Sequence, residues 1–263
     1  MISGISYIWR LFATALCFSL FGVAALIYGV LVFPPMRLIP GPPEAHRRRV
    51  RAVFKFMLRF FVELMRGLGV ISYRFEGAAL LGRPGQMILG NHPSLIDVVF
   101  LIAFTPQATC IVKQSLWSNP FTGWPVGDAG YVSNAPTIAM LERASRALRE
   151  GQSVIIFPEG TRTRPGQALQ FHRGAATIAV RAATVVTPVF IRVEPTVLAK
   201  NMPWYRVPRR RPRFTLRVGR DIDPEPFRNG PPSLASRAFN DHLLRVFADE
   251  LSTGGRPDAP GRH

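Results

Sequence analysis

Between Leu11 and Phe33 the chain carries no charged side chain. A run of that length is enough to cross the hydrocarbon core of a bilayer, and no other feature narrows the possible folds as much. Arg10 precedes the run, while Arg37, Arg47, Arg48, Arg49, Arg51, Lys55, Arg59 and Arg66 follow it. Positive charge is retained on the cytoplasmic side, so this bias puts the body of the protein in the cytoplasm. A cleaved signal peptide is the competing reading. The run exceeds an ordinary signal h-region, and Phe33-Pro34-Pro35-Met36 lacks the small residues of a cleavage site. Residues 1–36 are therefore expected to be a retained transmembrane anchor.

Residues 37–70 come next as a basic amphipathic segment. Phe54, Met57, Leu58, Phe61, Leu64 and Met65 recur at three- and four-residue spacing, with arginines and Lys55 between them. Such a helix lies in the membrane interface, or else packs on a domain core with its arginines solvated. The whole chain of 263 residues has Lys+Arg 33 against Asp+Glu 16, a net charge of +17 that calls for an anionic partner. An anionic membrane surface fits beside an anchor. Single-stranded nucleic acid does not, because the basic cluster Arg206, Arg209, Arg210, Arg211 and Arg213 has only Trp204, Tyr205 and Phe214 nearby for stacking. Cys17 and Cys110 provide neither a metal-ligand spacing nor a disulfide framework.

From Ile71 onward short β-rich runs alternate with helical segments, the pattern of an α/β domain over 71–252. Strands are expected at 71–75, 87–89, 109–112, 131–133, 153–157, 185–192 and 213–218. Helices are expected from Pro93, Thr137 and Gly174, and from Ser233 as N-cap to about Leu251. The fold class is α/β, a mixed sheet flanked by helices. Residues 253–263, rich in Gly and Pro, read as a disordered tail.

Two stretches carry the chemistry. In Asn91-His92-Pro93-Ser94-Leu95-Ile96-Asp97 a buried strand runs into a helix. Pro93 suits the first helical position and pushes His92 into extended backbone at the corner. Asp97 can reach His92 only if the histidine lies outside the helix and folds back. It would then fix the imidazole tautomer and leave the second nitrogen as a general base. The plainer alternative is a histidine flanking a helix whose dipole favours Asp97. In the second stretch, the strand Val154–Phe157 opens into Pro158-Glu159-Gly160-Thr161-Arg162-Thr163-Arg164, a loop suited to a phosphate or carboxylate. An ordinary solvated loop has the same composition.

Together these stretches resemble the first and third signature blocks of the glycerolipid acyltransferases of lysophosphatidate type. Thr187-Pro188-Val189 is similar to the family's late strand-proline block. The resemblance covers roughly residues 70–220. It implies acyl transfer from acyl-CoA or acyl carrier protein to a lipid hydroxyl at the cytoplasmic face of the membrane, with no metal or other cofactor. His92 would be the general base and Asp97 its orienting partner. Asn91, Lys113, Glu159, Gly160, Thr161 and Arg162 would bind substrate. Backbone N–H groups at the corner after His92 are candidate oxyanion donors. His172, close after the acceptor loop, either lines the site or is solvated, and solvated is the safer reading. One departure concerns the second block, Phe121-Thr122-Gly123-Trp124 through Ser133-Asn134: Asn134 stands where the family's phosphate-binding arginine is expected. This wording resembles a bacterial subgroup of lysophospholipid acyltransferases, some associated with aryl-polyene lipids, and implies the inner membrane. Hydrolysis of a thioester or lipid, and non-enzymatic membrane or nucleic-acid binding, are the rival functions.

Overall fold

The computed structural model describes residues 2–118, 123–135, 138–164 and 166–253. Phe121, Thr122, Thr137 and the tail from 254 lie outside them. Helix α1 (Ile2–Ile27) continues through a π-helical turn at Tyr28–Val32 into a short α2 (Phe33–Met36). Pro34 and Pro35 cannot donate to the preceding turn, which accounts for the widened helix there. After a turn at Gly41, whose φ is 144°, α3 (Pro43–Gly67) runs back alongside α1.

The α1–α3 hairpin is tied to the rest of the protein at both ends. Near its start, the Trp9 indole N–H donates to Leu68 O at 2.9 Å, and the buried Arg10 guanidinium donates to the carbonyls of Pro208 and Arg209. Near its turn, Phe33 meets Trp124 edge-on at 5.8 Å, and Arg37 forms a two-pronged ion pair with Asp128 at 2.8 and 2.9 Å. The stripe Met57, Leu58, Phe61 and Met65 is buried against the domain and does not face lipid. Arg51, expected at the surface, is 3% exposed and bonds Ala129 O and Gln152 Oε1 at 2.7 and 2.9 Å. On the outer side of α3 the large apolar residues Phe56 and Phe60 are exposed beside Arg59 and Arg66.

Among the described residues seven strands follow: β1 (Ser72–Glu76), β2 (Gln86–Gly90), β3 (Thr109–Val112), β4 (Val132–Ser133), β5 (Val154–Ile156), β6 (Val185–Glu194) and β7 (Arg213–Val218). They form one sheet in the order β1-β7-β6-β2-β5-β3-β4. All neighbours are parallel except β6 and β7, so the sheet is mixed, as expected. Between strands lie α4 (Asp97–Phe104), α5 (Gln114–Trp117), α6 (Gly123–Asp128), α7 (Ile138–Arg149) and α8 (Arg173–Ala182), with α9 (Pro232–Thr253) at the end. Strand alternation sorts the core: Ile88 packs with α3 and α4, while Met87 and Leu89 on the other face join α7, α8 and α9. β2 is buried throughout because both its faces and both its edges are covered. The last helix starts at Pro232, so Ser233 lies inside it and is not its N-cap.

Candidate active site

The C-terminal end of β2 brings the two motifs together, as open α/β sheets do at the carboxyl ends of their strands. Gly90 leaves no space for a side chain, since a Cβ there would meet Leu101 at 3.1 Å and the Phe157 ring at 3.2 Å. The chain then turns, and the His92 imidazole lies on the Phe157 ring with centroids 4.5 Å apart. The helix does not begin at Pro93: residues 93–96 form a bend and α4 starts at Asp97. The reason is visible in the hydrogen bonds. Asp97 Oδ2 accepts the Ser94 N–H at 2.6 Å and His92 Nδ1–H at 2.9 Å, so its side chain caps the bend and holds the imidazole together.

Asp97 is completely buried, which pushes its carboxyl pKa up; the contact with His92 and the Ser94 N–H oppose that shift. With Nδ1–H donated to Asp97, Nε2 carries the lone pair. The pair therefore has the geometry of an oriented general base.

The second motif clamps the backbone of the first. Glu159 Oε1 accepts the His92 N–H at 2.8 Å, and Thr163 N–H donates to His92 O at 3.0 Å. Burial pushes the Glu159 carboxyl up to about 7, against the lowering effect of the His92 N–H and ring. Its Oε2 is buried with no hydrogen-bond partner among the described residues. Arg162 does not sit free in the loop: Nη1 donates to Leu198 O and Ala199 O at 2.9 and 3.0 Å. Leu95 N–H donates to the same Leu198 O at 3.0 Å, so the segment after β6 joins both motifs.

Other expected residues are placed differently. The Asn91 amide bonds Ile191 at both ends, with Nδ2 to Ile191 O at 2.9 Å and Ile191 N to Oδ1 at 2.7 Å. Lys113 is exposed beyond β3 and lines none of the three cavities at this edge of the sheet. Asn134 accepts the Gln114 N–H at 3.0 Å, pinning β4 to the start of α5. The corner after His92 is a poor oxyanion hole, because Pro93 has no N–H and those of Ser94 and Leu95 are already engaged.

Of these cavities, a polar one of about 570 Å³ is lined by Glu159, Thr161, Arg162, Arg164, His172 and Lys200. His172, read as solvated, lies over Gly160, whose φ is 64° and whose absent Cβ would come within 3.0 Å of the ring. Lys200 carries no motif and was not expected here. A second groove of about 770 Å³ begins at Asn91 and Pro93. An apolar cavity of about 210 Å³ is lined by Phe33, Phe54, Met57, Val98, Val99 and Tyr131, two of these on the helix that Asp97 starts. Among the described residues no cluster of three or more His, Cys, Asp or Glu could hold a metal ion.

Residues 73–192 match the family model described as Acyltransferase. A 1-acyl-sn-glycerol-3-phosphate acyltransferase of Pseudomonas aeruginosa is 30% identical over 182 residues, spanning 67% of this chain and 69% of that protein. The chain belongs to the glycerolipid acyltransferase family. A second acyltransferase of the same printed name, from Helicobacter pylori, is 31% identical over 40% of this chain and 48% of its own length. The fold of this acyltransferase is shared with the crystal structure of the 1-acyl-sn-glycerophosphate acyltransferase PlsC from Thermotoga maritima. That superposition has a TM-score of 0.73, 22% identity, and covers 97% of this chain and all of the other.

Proposed function

We propose that the protein is a membrane-bound O-acyltransferase that moves a fatty acyl group from acyl-CoA or acyl carrier protein to the hydroxyl of a lysophospholipid, 1-acylglycerol-3-phosphate first among them. The observation that carries this reading is the His92 Nδ1–Asp97 Oδ2 hydrogen bond at 2.9 Å, held between the Glu159–Arg164 loop, which lines a cationic cavity, and α4, whose Val98 and Val99 line an apolar one. Nε2 takes the acceptor's hydroxyl proton as its oxygen attacks the thioester carbonyl carbon. The C–S bond then breaks, and the thiolate leaves with the proton from the imidazolium. A thioester is already activated, so positioning and a base suffice without a covalent enzyme intermediate.

The roles divide by environment. Arg162, Arg164, His172 and Lys200 suit the acceptor's anionic headgroup, with Thr161 in the same lining and Gly160 next to it beneath the His172 ring. The apolar cavity suits the acyl chain. Asn91 positions the loop through Ile191. For Lys113 the geometry supports only a contact with an acceptor extending beyond the polar cavity. Asn134 in place of an arginine favours a second acceptor class, a lipid without a phosphomonoester, in line with the resemblance of this block to a bacterial subgroup of which some members are associated with aryl-polyene lipids.

The setting we propose is the cytoplasmic face of a bacterial inner membrane, with the cationic surface toward anionic lipid. Residues 1–36 form the anchor, 37–70 the segment at its interface, and 71–252 the catalytic domain. The apolar helical stretch Gly4–Met36 is long enough to cross a bilayer. Both its ends are docked on the same domain, through Arg10 and Arg37, which supports entry from one side of the membrane over a full span.

The experiment is thiol release from acyl-CoA and acyl carrier protein by protein in detergent, with lysophosphatidate, glycerol 3-phosphate, other lysophospholipids or no acceptor. Acceptor-dependent release that disappears in His92→Ala is the expected result. Release independent of acceptor makes the protein a hydrolase, and activity surviving in His92→Ala removes the mechanism.

A further inference from the structure

We propose that the groove of about 770 Å³ between the end of β6 and the C-terminal half of α9 holds the phosphopantetheine arm of the acyl donor. The inference rests on the acyl-transfer reading above. Asn91 and Pro93, the two chain neighbours of His92, both line the groove, so a thioester lying against them is next to the general base.

The wall of the groove is a strand edge. β2 ends at Gly90, opposite Val189, but β6 continues to Glu194. The Asn91 amide takes the place of the next β2 residue by bonding both the N–H and the C=O of Ile191. Backbone polar groups along a strand leave alternately to either side. Pro188 O faces β7, where it accepts the Gly219 N–H at 2.8 Å, while Ile191 faces Asn91. By the same alternation the N–H and C=O of Val193 turn to the side from which β2 has withdrawn, and Val193 lines the groove. An extended chain bearing amides can add to such an edge as a strand does. Phosphopantetheine is a chain of this kind, with the thioester at one end and a phosphate at the other.

The opposite wall supplies what the rest of the arm needs. Leu244, Ala248 and Leu251 recur on one face of α9 and give an apolar floor. Arg245 stands beside them, its hydrogen bond reaching the Asp241 carbonyl of its own helix at 3.4 Å. Arg164 has no carboxylate partner among the described residues, and Arg192 donates to the Glu250 carbonyl. A carboxylate, that of Glu194, also lines the groove, so the lining keeps a net positive charge. Guanidinium groups recognise phosphate bidentately. CoA and carrier protein present the same arm, and the substrates of the test separate them.

The test measures KM in the full-length protein for acyl-CoA, acyl carrier protein and acyl-pantetheine, which lacks the phosphate. Arg245→Glu is compared with Arg237→Glu, exposed on the same helix outside the groove. Arg245→Glu is expected to raise KM by about tenfold or more for whichever phosphorylated donors are used. KM for acyl-pantetheine and for the acceptor stays unchanged, Arg237→Glu behaves as wild type, and Arg245→Lys recovers part of the loss. A donor KM unmoved by Arg245→Glu, a rise confined to the acceptor, or an equal rise for acyl-pantetheine overturns the inference while the transferase reading stands. Absence of turnover with every donor overturns both.

Discussion

The Glu159 carboxylate accepts the backbone N–H of His92 at 2.8 Å. The residue that most invites a substrate-binding role is therefore, in this structure, part of the support for His92. Its second oxygen is buried and has no hydrogen-bond partner among the described residues, and burial raises its pKa to about 7 from an ordinary value near 4.5. The native state thus binds more protons than the unfolded state between those values, and stability falls as pH rises through that window. The fall is on the order of 3 kcal/mol, since each unit is worth about 1.4 kcal/mol. Glu159→Gln keeps an oxygen for His92 N–H and removes the titration. Urea unfolding at pH 5 and pH 7.5 should show wild type losing stability across the interval and the variant losing much less. Equal slopes in both would mean that Glu159 does not titrate there.

Asp97→Asn tests the orientation of the imidazole. An amide oxygen in the place of Oδ2 can still accept both N–H groups, but it is neutral and does not stabilise the imidazolium, and turned over it presents an NH₂ group that favours the wrong tautomer. Loss of a positioned base costs about 10²–10⁴-fold in rate. His92→Ala and Asp97→Asn should both lose turnover in that range with acceptor KM little changed. The double variant should lose no more than His92→Ala alone, because the aspartate acts through the histidine. Additive losses would show that Asp97 has a separate role.

Arg162 bridges two carbonyls of the segment after β6, so its effect extends beyond any headgroup contact. Hydrogen bonds to a charged group contribute about 1.5–3 kcal/mol each. Arg162→Ala should lower the unfolding free energy measurably and also raise acceptor KM. Arg162→Lys keeps the charge but loses the fork, and should retain only part of either. A variant with full stability and a raised KM would restore the simpler role of substrate contact.

Much of this architecture was legible in the chain. Each of the seven strands lies within a residue or two of its apolar run, because runs such as Met87-Ile88-Leu89 have no other way to bury both faces. The His92–Asp97 contact was legible as a condition: it needed the histidine outside the helix, which is where the bend at 93–96 puts it. The helix start was misplaced because Pro93 satisfies the rules for a first helical residue, while the competing side-chain bond from Asp97 to Ser94 N–H is a matter of three dimensions. The stripe on α3 has the same periodicity whether it faces lipid or core, so only the packing of Met57, Phe61 and Met65 against the domain decides it. His172, close after the acceptor loop, could be read either as solvated or as lining the site, and it is both exposed and in the lining; Lys200 could not be assigned to the polar cavity, since its segment is brought there by the Arg162 contact with Ala199 across the fold.

The placement of α1 yields the last expectation. A helix spanning the bilayer away from its domain would have its two ends on opposite sides, whereas here Arg10 and Arg37 both reach residues of one domain. Cys17 and Cys110 are buried, and replacing both with alanine clears the background for single cysteines. Gly4→Cys, where a side chain meets nothing within 4 Å, and Leu38→Cys, on an exposed residue, mark the two ends. In sealed vesicles of either orientation, an impermeant maleimide should label both variants from the same side, the one that exposes the catalytic domain. Labelling of the Gly4→Cys variant only from the opposite side would establish a true span and require the contacts of Trp9 and Arg10 with Leu68, Pro208 and Arg209 to be broken in the membrane.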